Sequence, residues 1–206
     1  MKFYVRTTGE RKYDYDLEYE ELIDRNHEPV ESFIKQLKII SDADSILLED
    51  DLVLCKDFKN RIEEVVKKYP DKVINFYTSP ERYFTTHETN LFVYNQCTYY
   101  PKGVAKQIAE KMEEEYKIRK LPYDTLESSA LNKLGMSHVV YRPCLVQHID
   151  MGSLISNSEK GGSRVSLYFV DWLEKYGIDY EEAIKPENIE RLKFEKEEFI
   201  KRRKIQ

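Results

Sequence analysis

The 206 residues carry 33 lysines and arginines against 38 aspartates and glutamates, and a formal net charge of -5 argues against a surface that grips nucleic acid throughout. No apolar run reaches membrane-spanning length and Met1-Lys2-Phe3-Tyr4-Val5-Arg6 has no signal-peptide pattern, so a single soluble, cytoplasmic domain with a helical extension is expected. Cys55, Cys97 and Cys144 are odd in number and widely spaced, which excludes a disulfide framework or CxxC zinc site and leaves buried thiols.

Phe3-Tyr4-Val5 reads as a first strand, followed by the polar loop Arg6-Thr7-Thr8-Gly9-Glu10-Arg11 and an acidic, tyrosine-rich stretch up to Pro29. Tyrosine, used 16 times, suits sugars and bases as well as cores. Val30, Phe33, Ile34 and Leu37 fall on one helical face. A turn, Ser41-Asp42-Ala43-Asp44, then leads into a strand over 45–48 that delivers Glu49, Asp50 and Asp51 to one point. Helix, strand and acids in that order are α/β grammar. Acids after a strand often form only a solvated turn or cap the next helix. Here the chain runs on into apolar Leu52-Val53-Leu54-Cys55, which no surface turn requires. Three adjacent carboxylates at a buried strand end repel one another unless a cation, donors or water compensate, and oxygen ligands of this kind favour magnesium or manganese over zinc.

Ile62, Val65 and Val66 mark the next helix, Pro70-Asp71 a break, and Val73-Ile74-Asn75-Phe76-Tyr77 a second central strand. Leu91-Phe92-Val93-Tyr94 and Cys97-Thr98-Tyr99-Tyr100 flank Asn95-Gln96 and predict a hairpin or two closely linked strands, hence a mixed sheet. Val104, Ala105, Ile108, Ala109 and Met112 define one amphipathic helix, and Leu126, Ala130, Leu131 and Leu134 another, closed by Gly135. Val139-Val140-Tyr141 is the last expected strand. The segment 153–163, with Gly161 and Gly162, reads as a lid over a ligand or a plain linker. Val165, Tyr168, Phe169, Trp172 and Tyr176 trace a helix ended by Gly177, and Pro186 opens a charged terminal helix that finishes in the basic cluster Lys201-Arg202-Arg203-Lys204. The expected division is a compact catalytic domain over 1–156 and a loop with helical extension over 157–206 packed on it.

Ile46-Leu47-Leu48-Glu49-Asp50-Asp51-Leu52 followed by Lys56-Asp57-Phe58, then Tyr123-Asp124 before a helix, then Pro143-Cys144-Leu145-Val146-Gln147-His148-Ile149, together resemble GT-A-type glycosyltransferases. Within that type they look most like the family of lipooligosaccharide and procollagen galactosyltransferases, over about residues 33–154. The resemblance implies an α/β, GT-A-like, mixed, mainly parallel central sheet flanked by helices, with a C-terminal helical extension. It also implies a metal-dependent glycosyltransferase using Mn2+ or Mg2+ to move a sugar from a nucleotide-sugar donor to an acceptor hydroxyl, on a saccharide or on a hydroxymethylated base in phage-type DNA. Asp51 and His148 would then hold the metal, Glu49 would face the donor ribose or order the site, and Asp50 would support either task. Asp124 would be the base of an inverting transfer, although Asp124-Thr125-Leu126-Glu127 also has capping-box-like spacing. The early position of the acidic motif implies an abbreviated nucleotide-binding half, and Asp150-Met151-Gly152-Ser153 replaces the glycine-rich continuation usual after the histidine.

Arg6, Thr7, Thr8 and Arg11 follow the first strand, where α/β proteins place ligand-binding loops, and are candidates for a nucleotide's base or diphosphate. Arg82 and Lys160 stay outside the main site, and His27, His87 and His138 receive no role. Two other classes compete: a phosphoesterase or nuclease with two cations around a phosphate, and a noncatalytic nucleotide- or sugar-binding module.

Overall fold

The computed structural model describes residues 1–79, 85–91, 95–149 and 164–203. Strand β1 (Lys2–Thr7) is buried along almost its whole length, as a central strand covered on both faces must be. Beside it in parallel runs β2 (Glu20–Ile23), an edge strand in which only Leu22 is buried. Helix α1 (Pro29–Ile39) starts with proline in its first turn, where the missing N–H costs nothing, and buries Phe33, Ile34, Gln36 and Leu37. A short 3-10 turn (Ile40–Asp42) turns the chain into β3 (Ser45–Glu49), with the Ser45 hydroxyl tied to Ile40 O at 2.7 Å. Parallel pairing of β3 with β1 sets Val5 opposite Leu48 and Arg6 opposite Glu49, so the register delivers a cation beside an acid at the end of the sheet.

The chain then leaves the main sheet: β4 (Leu52–Leu54) pairs with a later strand and leads into α2 (Phe58–Lys68). The order continues with β5 (Val73–Asn75), β6 (His87–Thr89), β7 (Cys97–Tyr100), α3 (Val104–Tyr116), α4 (Tyr123–Lys133), β8 (His138–Val140) and β9 (Val146–His148). Seven strands form one sheet in the order β2-β1-β3-β7-β5-β8-β6, and β4 and β9 form a separate two-stranded sheet. The sheet is mixed and flanked by helices. Its mainly parallel character holds for direction alone, because β7 is inserted antiparallel between β3 and β5 and β6 runs antiparallel to β8 at the edge. Parallel and antiparallel pairings are therefore balanced. The mixture comes from β7, bonded to β3 and β5, and from β6 at the edge. Residues 92–94 of the expected hairpin arm, the 153–163 segment, Arg82, Lys160 and Lys204 lie outside the described residues.

Alternation along β1 and β3 divides the core into two layers. Phe3, Val5, Ile46 and Leu48 face α2 and the C-terminal segment, whereas Tyr4 and Leu47 face α1, α3 and α4. The last part of the chain joins the first layer through Trp172, Leu173 and Leu192. The helix expected from Val165 begins only at Val170: α5 spans Val170–Lys175, and Gly177 takes a left-handed φ of 60° just beyond it. Residues 165–169 are irregular, with Phe169 extended and bridged to Cys144, because long-range pairing wins over their apolar spacing. Cys144 N–H donates to Tyr168 O, Val170 N–H to Cys144 O, and Ser166 N–H to the Gln147 side chain. Helix α6 (Pro186–Arg203) follows as expected, with Trp172 wedged between Phe169 and Phe199. Tyr141 lies just past β8, and Val146–His148 adds a strand not expected from the pattern. No described helix is long and apolar enough to cross a membrane.

Candidate functional site

The acidic triplet runs from the last residue of β3 through the turn before β4, two strands that belong to different sheets. Long-range contacts hold that turn. The Tyr15 phenol donates to Glu49 O at 2.6 Å and accepts from Leu52 N–H at 3.1 Å, spanning the turn from end to end. Glu49 N–H donates to Gln96 O and Ile149 N–H to Asp51 O, each at 2.9 Å. Antiparallel pairing of β4 with β9 sets Leu52 opposite His148 and so carries the imidazole to Asp51, with Nε2 3.3 Å from Oδ2. Glu49, Asp51 and His148 each present a ligand atom, all within 4.8 Å of one another.

The loop after β1 supplies the counter-charges. Thr7 Oγ1 donates to Asp50 Oδ2 at 2.5 Å and accepts from Gly9 N–H at 2.9 Å. Arg11 Nη1 reaches Asp51 Oδ2 at 2.5 Å and Asp50 Oδ1 at 3.1 Å. Arg6 lies 3.7 Å from Glu49 Oε1 and stacks near the Phe33 and Tyr123 rings, 4.9 and 4.8 Å from their centroids. Three of the four expected loop residues thus meet the acids. Thr8 does not: its Oγ1 is buried without a hydrogen-bond partner among the described residues.

Burial and neighbours push these groups in opposite directions. Desolvation, together with the nearby Asp51 charge, raises the Glu49 carboxyl above its ordinary range despite the pull of Arg6. Burial also opposes ionisation of Asp51, but the hydrogen bond and charge of His148, with Arg11, outweigh it and hold Asp51 low. Burial disfavours the charged imidazole, while Asp51 and Glu49 overcome that and raise His148. Asp51 is only 7% exposed, and its Oδ1 is buried without a hydrogen-bond partner among the described residues. A desolvated carboxylate oxygen lacking a donor is costly, and a cation is the ligand that relieves it. Two carboxylates and an imidazole fit a divalent transition ion or magnesium in charge and donor type.

Asp124 stands elsewhere than a cap. Helix α4 is preceded by Pro122 at the N-cap, so Asp124 lies within the first turn, where its carboxylate accepts from Thr125 N–H at 2.7 Å and favours the helix dipole. The capping box is therefore not formed. The neighbouring Tyr123 brings this turn to the acids, with its hydroxyl 3.4 Å from Glu49 Oε1. The other residue of the expected box, Glu127, is fully buried beneath the site, within hydrogen-bond reach of Asn95 Nδ2 at 2.6 Å and Tyr100 Oη at 2.7 Å. Burial pushes its carboxyl up to about 8.

Sequence reasoning missed Tyr15, Glu127 and Arg164, the last of which acts electrostatically on both Tyr123 and His148. Glu127 had a signal, since it follows Leu126 and precedes Ala130 and Leu131 on the buried side of a helix. Tyr15 had none, because its partners are distant in sequence. A cavity of about 670 Å³ adjoins the acidic turn, lined by Tyr13, Tyr15, Leu52, Lys56, Asn60 and Ile149 among others. That volume is in the range of small-ligand sites. Neither the protein-family models nor the curated proteins contain a match to this chain.

Proposed function

We propose that the protein is a metal-dependent glycosyltransferase that moves a sugar from a nucleotide-sugar donor to an acceptor hydroxyl. The observation that carries the reading is the Glu49, Asp51 and His148 group, whose buried Asp51 Oδ1 has no donor among the described residues, set beside Arg6 and Arg11. Asp51 and His148 would hold Mn2+ or Mg2+, with Glu49 close enough to join them. A bound divalent ion would supply Lewis-acid stabilisation of the departing nucleoside diphosphate. Arg6 and Arg11 add positive charge for the same anion, and the likeness of the acidic motif, Tyr123-Asp124 and Gln147-His148 to GT-A enzymes supports the assignment.

Asp124, one residue beyond a tyrosine that touches Glu49, is the base proposed for the acceptor hydroxyl. A two-cation phosphoesterase is disfavoured because, among the described residues, a single group of three metal-ligating side chains is found. The acceptor favoured is a saccharide or other small hydroxyl compound over hydroxymethylated DNA: the net charge is -5, and Lys201 in the terminal basic cluster is paired with Glu198 at 3.0 Å.

The test is a mass-spectrometric screen of purified protein against nucleotide sugars with manganese, followed by transfer assays on a glycan panel and on hydroxymethylated DNA. Metal-dependent release of a nucleoside diphosphate is expected. Phosphodiester cleavage without a sugar donor, or binding without turnover across the donor panel, would overturn the reading.

A further inference from the structure

The metal-ligating carboxylate already holds a cation that belongs to the chain. Asp51 Oδ2 accepts from Arg11 Nη1 at 2.5 Å, and the same guanidinium nitrogen reaches Asp50 Oδ1 at 3.1 Å. Asp51 is also common to the trio that would take a metal, and its second oxygen is buried without a donor among the described residues. A guanidinium at hydrogen-bond distance and a divalent ion at about 2.1 Å from one carboxylate would stand only a few ångströms apart, where their repulsion in a partly buried site is large. Each would therefore weaken the hold of the other on Asp51.

The two acids are not equally dependent on Arg11. Asp50 keeps an independent donor in Thr7 at 2.5 Å, so withdrawal of Arg11 leaves Asp50 hydrogen-bonded. Arg11 itself lies in the irregular segment between β1 and β2, outside any strand or helix that would fix its backbone by ladder bonds. Its side chain therefore moves at small cost in secondary structure. An arginine displaced from Asp51 by a metal can turn to a diphosphate, whose oxygens match the planar, bidentate fork of the guanidinium.

On the metal-site reading given above, we propose that Arg11 is a resident counter-ion on Asp51 Oδ2 that opposes a metal at the same carboxylate and exchanges Asp51 for a diphosphate when metal and diphosphate bind together. Arg11 then opposes binding of the metal alone and favours binding of the diphosphate that follows. The two effects have opposite signs in one variant, which a simple loss of site structure does not produce.

The experiment uses the full chain and two probes, Mn2+ followed by electron paramagnetic resonance and inorganic pyrophosphate followed by calorimetry at saturating Mn2+. Arg11→Gln should bind Mn2+ alone about tenfold more tightly, a coupling of the size usual between linked sites, and bind pyrophosphate more weakly by a similar factor. Arg11→Lys keeps the charge with a single point of contact and should fall between the wild type and Arg11→Gln in both measurements. Unchanged or weaker Mn2+ binding by folded Arg11→Gln, with the wild type binding normally, would overturn the counter-ion role and leave the metal site standing. Absence of Mn2+ binding in wild type and variants alike would overturn the metal site and the counter-ion role together.

Discussion

Glu127→Gln should convert a pH-dependent protein into a less pH-dependent one. The wild-type carboxyl is held at about 8 by burial, against 4.5 when unperturbed, so the folded state binds more protons than the unfolded chain between those values. The stability it contributes is fully present below the unfolded value and is lost as pH rises through the folded one. At about 1.4 kcal/mol per unit, the loss is about 0.8 kcal/mol at pH 5 and about 3.3 kcal/mol at pH 7. Glutamine mimics the neutral acid: its carbonyl accepts from Asn95 Nδ2 and its amide donates to the Tyr100 oxygen, the positions where the carboxyl now sits. The stability of the variant relative to the wild type should therefore grow by about 2.5 kcal/mol from pH 5 to pH 7. Urea denaturation of both proteins at several pH values measures this, provided the denaturant slope is unchanged. A difference that stays flat across that window would refute the claim that burial keeps Glu127 protonated. The consequence reaches the site, because Asn95 precedes Gln96, whose carbonyl receives the Glu49 N–H.

Tyr15→Phe removes the hydroxyl that bridges Glu49 O and Leu52 N–H, and should cost about 1–3 kcal/mol in denaturation together with a larger fractional loss of Mn2+ affinity, measured by titration. Asp51→Ala should abolish metal-supported nucleotide binding in calorimetry; equal nucleotide affinity with and without metal in the wild type would count against the site. His148→Ala should weaken the same binding, whereas a purely structural histidine would show itself only as a lower melting temperature in metal-free protein. Asp124→Asn should retain donor binding and lose about 100-fold or more of transfer rate, since the asparagine keeps the shape and removes the basic carboxylate. Near-normal turnover by folded Asp124→Asn would remove the base assignment.

Local pattern alone determined the helical faces. Val30, Phe33, Ile34 and Leu37, then Ile62 and Val65, then Ala105, Ile108 and Met112 repeat at helical spacing, and α1, α2 and α3 bury all of them but the half-buried Val30. The strand over 45–48 and the acids at its end were equally legible, because burial of a short apolar run and the repulsion of neighbouring carboxylates are properties of adjacent residues. Tertiary structure decided which strands pair and what meets the acids. The insertion of β7 between β3 and β5, the pairing of β4 with β9 that brings His148 to Asp51, and the reach of Tyr15 across the turn all join residues far apart in the chain. Residues 165–169 carry helical spacing yet form no helix, because bonds to the Cys144 backbone and the Gln147 side chain were available only once β9 was in place. Glu127 shows the same division: its place on a helix was readable, but its elevated pKa arises from burial, which outweighs the lowering pull of the Tyr100 hydrogen bond and of Arg6 and exists only after distant segments have closed over it.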